Sequence, residues 1–579
     1  MKKLLVYLKA YKKETLLGPL FKLLEAGFEL LVPLMMAAVI DRGIAKADSA
    51  YILRMCLALA GLGIVGLVCS VTAQYFAAKA SAGFVKKLKH ALFAHIQRLS
   101  FAQMDRLGTS TLVTRMTSDM NQLQVGANLT LRLLLRSPFV VFGAILMAFT
   151  VDAEAALVFA AAVPVLLTVV FAIMLLCVPL YKKVQARLDQ VLGLTRESLS
   201  GARVIRAFRK ETEQAAVFEG RNNELTRMQK RVGRISALLN PVTYVIVNLA
   251  VVFLVQIGAV RVWTGALTQG AVVALYGYMS QILTELIKLA DYTITLTKSV
   301  ACGNRIQAVF EISPDLGTAG FAPPPENAGL AVVFRHASLR YENAGENALT
   351  DIDFSVRCGE TIGIIGGTGS GKSSLVSLIP RFYDASEGEV RVCGVNVKDY
   401  PVGALRAKIG FVPQKAALFK GTIRENLRWG KPDATDAEIW AALTAAQAKD
   451  VAESRGGLGF SIEQDGRNLS GGQIQRLTVA RALVRVPEIL ILDDSASALD
   501  FATDAALRKA IRGMAGSPTV FIVSQRVSAL RHADRIIVLD DGRLAGVGTA
   551  QALLERCEVY REICQSQLGK EDPPDDAGK

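Results

Sequence analysis

The run GGTGSGKS at 366–373 brings glycines, a lysine and a serine to the spacing that wraps the phosphates of a nucleotide. Gly366 opens the loop and Gly371, Lys372 and Ser373 close it, with Gly367, Thr368, Gly369 and Ser370 between them and Ser374 following. Glycines let backbone N–H groups approach phosphate oxygens, the lysine neutralises the β and γ oxygens, and the serine hydroxyl coordinates Mg²⁺. The loop lies between an apolar strand, TIGII, and an expected helix starting near Lys372, which is the context the pattern requires. Asp493, at the end of the apolar strand LILD, is suited to hold the same Mg²⁺ through water. ATP and Mg²⁺ are therefore the expected cofactors.

Two adjoining positions fit hydrolysis poorly. Asp494 follows LILD and Gln525 follows FIVS, where a strong base and a switch are needed. The expectation is a site that binds ATP well and hydrolyses it slowly on its own.

The elements that must position these residues are of two kinds. A chain of 579 residues exceeds one ordinary domain. Its 51% hydrophobic and 20% charged residues, with a mean hydropathy of +0.33, fit a membrane region joined to a soluble one. A hydrocarbon core of about 30 Å needs roughly 20 apolar residues in a helix. Six segments meet or approach that, near 16–40, 52–78, 133–150, 155–180, 241–262 and 271–289. The net charge of +14 is unevenly placed. Residues 81–132 hold seven Lys or Arg and 182–234 hold thirteen, against three in 41–51, 151–155 and 261–270 together. This positive-inside pattern orients a membrane protein and calls for no nucleic acid. The eight cysteines form no metal-binding spacing and read as small apolar residues.

Residues 1–14 lack a cleavage site and read as a basic amphipathic helix on the inner membrane surface. The long polar stretches after the second and fourth segments keep helical periodicity, so those helices should run about 30 Å or more into the cytoplasm and return. Gly108 and Gly201 are turn signals at the far tips. The membrane domain is set at 15–312, and 313–329, rich in Pro and Gly, is a linker. Over 330–568 short β-rich runs alternate with helical stretches, as in an α/β domain with a largely parallel sheet. Residues 569–579 read as a disordered tail.

A second element, LSGGQ at 469–473, precedes the helical stretch IQRLTVARAL. With GGTGSGKS, LILDD and the apolar first half, it makes the chain resemble the ATP-binding cassette (ABC) transporters, in particular exporter-type half-transporters. The resemblance covers almost the whole chain. It implies a membrane α-helical domain of six spanning helices with long cytoplasmic extensions, fused to an α/β P-loop ATPase domain with the family's helical subdomain. It places Tyr341 where an aromatic ring stacks on adenine, and Gln414 where a loop glutamine reaches Mg²⁺ and senses the membrane domain. Ser497 and Asp500, in SALD, match the loop that crosses the dimer interface, and the coupling tips fall near 103–112 and 203–210. Two cassettes close head to tail in this family, so Ser470, Gly471, Gly472 and Gln473 would face the phosphate loop of a partner.

The departures from the family pattern are informative. Asp494 stands where the family has a catalytic Glu, and Gln525 where it has a switch His. A carboxylate withdrawn by about an ångström holds the attacking water less well in line, at a cost of about 10²- to 10⁴-fold. Gln464, Asp465 and Gly466 replace the common Glu-Arg-Gly before the signature, which puts the usual contact with the coupling loops in question. The intact LSGGQ serves the opposite site, so the asymmetry points to a heterodimer with a second half-transporter that carries the Glu and the His. The alternatives are a homodimer with two slow sites, an importer on the same fold, and a regulatory or sensor subunit that gates a partner. Membrane lipids and a hydrophobic small-molecule substrate are the other expected partners. Glu25 and Glu29 lie four apart on the first spanning helix, with Lys22 one turn before. They either face a substrate cavity and attract lipophilic cations or pair and pack with their neighbours.

Overall fold

The computed structural model describes residues 2–314, 329–342, 344–495, 499–514 and 516–568. Most of the expected linker, the tail 569–579 and Ser497 lie outside the described residues. The chain divides into two compact units, one of 1–97 with 110–312 and one of 98–109 with 313–579. The segment 98–109, expected within the membrane domain, thus packs with the nucleotide domain.

Among the described residues six helices are long and apolar enough to cross a membrane: Lys3–Ile44, Ser49–Ile96, Thr109–Val151, Ala153–Ser200, Glu211–Trp263 and Gln269–Phe310. At 1.5 Å per residue the second and fourth, each of 48 residues, are about 72 Å long, well beyond a hydrocarbon core. Short polar turns start three of the helices. Asp48 accepts from the Tyr51 N–H at 3.0 Å, Asp152 from Ala155 at 2.8 Å and Thr268 from Ala271 at 3.3 Å. Each cap satisfies a backbone donor that would otherwise lie unpaired at a helix end. The first helix packs against the second, third and sixth, and the fourth against the fifth. Alanines 144, 148, 155, 156 and 274 are fully buried at the helix contacts and let the backbones approach closely. The N-terminal segment expected over 1–14 is a 3-10 helix, Lys2–Tyr11, running directly into the first α-helix at Lys12.

The second unit is built on a six-stranded sheet in the order Arg543–Gly548, Arg535–Asp540, Thr361–Gly366, Thr519–Val523, Ile489–Asp493, Ile409–Val412. The first strand in that order is antiparallel to its neighbour and the other five are parallel. Ile489–Asp493 and Thr519–Val523 are buried throughout, as expected of parallel strands covered on both faces. A four-stranded antiparallel sheet holds Leu330–Leu339 between Leu349–Arg357 and Glu387–Val392. The helices Ile423–Arg428, Asp436–Ala445, Lys449–Glu453 and Gly471–Leu483 form the helical part, packed through Leu427, Ile439, Leu443 and Leu477. This topology gathers the carboxyl ends of four parallel strands, after Gly366, Val412, Asp493 and Val523, which is where ligands bind in open α/β sheets.

Candidate functional site

A cavity of about 360 Å³ opens at those strand ends. It is lined by Tyr341, Thr368, Gly369, Gly371, Lys372, Ser373, Ser374, Gln414, Asp493, Asp494 and Gln525, so the fold unites positions spread over some 185 residues of sequence. Gly371 has φ +91° and a Cβ there would meet the Ala348 carbonyl at 2.7 Å, so only glycine fits. The Lys372 ammonium donates to the carbonyls of Gly366 at 2.9 Å and Gly367 at 2.6 Å and to the Ser370 hydroxyl at 3.3 Å. Burial holds its pKa below the usual lysine value, while Asp494 and Asp493 act in the opposite sense.

The Ser373 hydroxyl donates to Asp493 Oδ1 at 2.9 Å. With Gln414 on the same cavity, the chain offers a hydroxyl, a carboxylate and an amide oxygen, a donor set that fits a hard, oxygen-seeking cation such as Mg²⁺. Burial raises the Asp493 pKa, Asp494 adds to this, and the Ser373 hydrogen bond and Lys372 oppose it. Asp494 has a left-handed backbone, φ +46°, and Gln525 is exposed at the cavity edge with its carbonyl accepting from Gln567 Nε2 at 2.7 Å.

Tyr341 does more than face the cavity. Its hydroxyl lies 2.9 Å from Ser374 Oγ, and its ring meets Tyr383 edge to face at 5.0 Å. Tyr383, which the sequence reading missed, donates to Asp105 at 2.6 Å. Burial, with Asp105 adjacent, raises the Tyr383 pKa and keeps the phenol protonated. Asp105 belongs to the short helix Phe101–Leu107, started by a reciprocal Ser100–Gln103 capping box and ended by Gly108 at φ +73°. Phe101 packs against Phe382 with the rings tilted and their centroids 4.6 Å apart, Arg406 lies over Phe382 at 5.1 Å, and Arg106 pairs with Glu342 at 3.0 Å. Asp105, in the tip expected near 103–112, is thereby linked through Tyr383 to Tyr341 on the cavity wall. The second tip forms the helix Ala202–Ala207, on which no residue is buried; Val204 and the adjoining Phe208 are exposed.

The signature residues do not line this cavity. Ser470 caps the helix Gly471–Leu483: its N–H donates to Gln473 Oε1 at 3.0 Å and its hydroxyl accepts from the Gln473 N–H at 3.4 Å. The helix thus begins inside the signature rather than after it. Gly471 and Gly472 carry first-turn N–H groups without helical acceptors, an anion-binding end. Asp500 caps the helix Phe501–Arg512 by accepting from the Thr503 N–H at 2.8 Å.

In the membrane unit Lys22 pairs with Glu25 at 2.6 Å. Glu29 is held at 2.6 Å by Arg136, a residue the sequence reading passed over. Arg136 also pairs with the buried Glu285, which accepts from Ser137 at 2.9 Å and from Lys288 at 2.9 Å. An arginine inside an apolar run was the signal for it.

Residues 15–286 match the family model described as the ABC transporter transmembrane region, and residues 349–497 match the one described as ABC transporter. The chain is 35% identical over 565 residues to the uncharacterized ABC transporter ATP-binding protein Rv1273c of Mycobacterium tuberculosis, with 97% of each chain covered. It is 30% identical over 589 residues to YgaD of Bacillus subtilis, provisionally named a multidrug export ATP-binding/permease protein, with 97% of this chain and 98% of YgaD covered. A solved bacterial Atm1-family ABC exporter with ATP bound superimposes with a TM-score of 0.82 at 23% identity, over 97% of this chain and 99% of that one, a likeness of fold.

Proposed function

This chain belongs to the ABC transporter family, and on that premise we propose that it is one half of a heterodimeric exporter that moves hydrophobic drugs or lipids outward across a cell membrane. Its nucleotide domain faces the cytoplasm, in keeping with the Lys and Arg excess of the long helical extensions. The observation that carries the reading is the pairing of a complete phosphate and metal site with Asp494 and Gln525 at the two positions that drive hydrolysis. With nucleotide bound, Lys372 and the loop N–H groups neutralise phosphate charge, Ser373, Gln414 and Asp493 hold Mg²⁺, and Tyr341 supports the base. Asp494 and Gln525 leave the attacking water weakly activated, so this site holds ATP as a clamp.

Gly471, exposed, and Gly472, half-buried, at their helix start complete the partner's site, where a Glu and a His cleave ATP. The exposed helix Ala202–Ala207 fits a coupling role toward the partner's nucleotide domain. The provisional name of YgaD supports the substrate class.

The test is ATPase and flux of the purified heterodimer in proteoliposomes, the partner being sought in the neighbouring reading frame. Asp494→Ala should cost less than about threefold, and replacing the partner's catalytic Glu by Gln should remove most activity, about 10²-fold or more. Equal losses overturn the division of labour; inward flux makes the complex an importer; no flux under any condition makes this chain a regulatory subunit.

A further inference from the structure

We propose that the N-terminal segment and the second long helix together form a binding site for the headgroup of an anionic phospholipid. The two elements run antiparallel in close contact. The Tyr11 ring lies so near Gly83 that a Cβ there would meet it at 2.2 Å, Glu14 pairs with Lys79 at 3.1 Å, and a Cβ on Gly18 would touch the Ala77 backbone nitrogen at 3.5 Å. Lys87 sets its ammonium 5.7 Å from the centroid of the Tyr11 ring. Lys2–Tyr11 is therefore seated on the helix Ser49–Ile96 rather than lying alone on a surface.

The contact gathers cations that neither element balances. Lys9 and Lys12 are exposed on one side of it and Lys86 and Lys87 on the other. Glu14 is the only carboxylate in residues 1–24, and 49–96 contains none. That carboxylate is bonded to Lys79, with Lys13 close enough to act on it through space. From the end of the sixth spanning helix, Glu311 is taken by Lys3 at 3.8 Å. An anion placed among the exposed ammonium groups relieves their mutual repulsion.

The apolar stretch of the first helix begins near Leu16 and that of the second ends near Ala78, so these lysines stand where hydrocarbon gives way to headgroups. On the hydrocarbon side of them Leu16 is 72% and Tyr75 61% exposed, and Tyr75 precedes Lys79 by one helical turn. A cationic rim above apolar and aromatic side chains fits one ligand chemistry, a negatively charged phosphodiester carried on acyl chains. Each basic residue held near an anionic surface strengthens the attraction by about fivefold, an effect that reaches only about a Debye length. The site therefore selects lipid by charge, at the fixed place where the two elements meet. The inference rests on the six helices crossing a membrane and not on the heterodimer reading.

The test is native mass spectrometry of the full-length protein released from nanodiscs of equal phosphatidylglycerol and phosphatidylcholine. The parent should retain phosphatidylglycerol over phosphatidylcholine by at least about fivefold. Lys12→Gln with Lys87→Gln, one cation from each element, should bring the ratio close to parity. Lys182→Gln with Lys183→Gln removes the same charge just beyond the fourth apolar stretch, where both lysines are exposed, and should leave the ratio unchanged. No preference in the parent, equal loss in the two double variants, or displacement of the lipid by excess inorganic phosphate each overturns the proposal. Gly83→Leu removes no charge and should unseat Tyr11, lowering the preference at least about threefold. A folded Gly83→Leu protein with the parent's preference overturns the two-element site. Lys12 and Lys87 are exposed, so the charge variants decide the matter even where Gly83→Leu does not fold.

Discussion

The backbone N–H of Asp494 donates to the carbonyl of Val523 at 3.0 Å, fastening the residue after the metal-site strand to the strand that leads two residues on to Gln525. The two positions that depart from the family pattern are therefore tied at adjoining ends of one parallel pair, Ile489–Asp493 beside Thr519–Val523. Asp494 is in the left-handed region, which aspartate enters more readily than most non-glycine residues. Its short carboxylate leaves from a backbone already committed by neighbouring strands.

Restoring the longer base and the imidazole should restore hydrolysis. Asp494→Glu with Gln525→His, assembled with a partner whose own catalytic Glu is replaced, should raise ATPase by about 10²- to 10⁴-fold over the unrestored complex. The left-handed backbone should cost the double variant on the order of 1 kcal/mol of stability. ATPase that stays at the unrestored level would show that these two residues do not set the rate.

Lys372→Ala removes the charge that gathers the loop carbonyls of Gly366 and Gly367. Charged hydrogen bonds are worth about 1.5–3 kcal/mol. Binding of a fluorescent ATP analogue to this chain's site should weaken about 10- to 100-fold, with Tm little changed. Undiminished affinity would remove Lys372 from the phosphate site.

Acid should weaken the metal site early. Burial first, with Asp494 beside it, raises the Asp493 pKa above its ordinary value, so the carboxylate is lost at a higher pH than for an exposed aspartate. A raised carboxyl pKa means that ionising Asp493 costs folding stability: its contribution becomes more favourable as pH falls through the raised value, while Mg²⁺ affinity falls. The ratio of MgATP to metal-free ATP affinity should decline on acidification before ordinary aspartates titrate. A ratio flat down to about pH 4 would contradict this.

Removing Arg136 should be costly, because Glu285 is buried and Glu29 loses the same partner. Breaking one side of a buried ion pair costs about 3–5 kcal/mol. Arg136→Met should lower Tm in detergent sharply, and adding Glu285→Leu should recover most of the loss. A single variant as stable as the parent would mean that the network holds nothing.

Tyr383→Phe deletes the hydroxyl that donates to Asp105 while keeping the ring contact with Tyr341. A hydrogen bond to a carboxylate is worth about 1.5–3 kcal/mol, a small enough loss that the protein should still fold. Basal ATPase of the assembled transporter should hold within about twofold, and substrate-stimulated ATPase should drop several-fold. Equal loss of both would mean that the residue only packs.

Much of the site was legible because its chemistry is local. Gly366 to Ser373 and Ser470 to Gln473 are contiguous runs whose backbone spacing is the function, and Asp493 announces itself at the end of an apolar strand. Lys22 and Glu25, three apart on one helix, were also within reach of spacing alone. Tyr383 was not, because its partner Asp105 lies 278 residues away and neither residue type is unusual by itself. Arg136 meets Glu29 and Glu285 across three helices, 107 and 149 residues apart, which helical periodicity cannot pair.

By itself the sequence determined the two-part architecture, the phosphate loop and the residue types at Asp494 and Gln525, since hydropathy and contiguous motifs are properties of neighbouring residues. Only the tertiary structure decided that 98–109 packs with the nucleotide domain, that Glu29 pairs with Arg136, and that Gln567 bonds to the backbone of Gln525 and Val527. Those depend on which strand ends and helix faces folding brings together, and burial pays for such contacts only once distant parts of the chain already lie side by side.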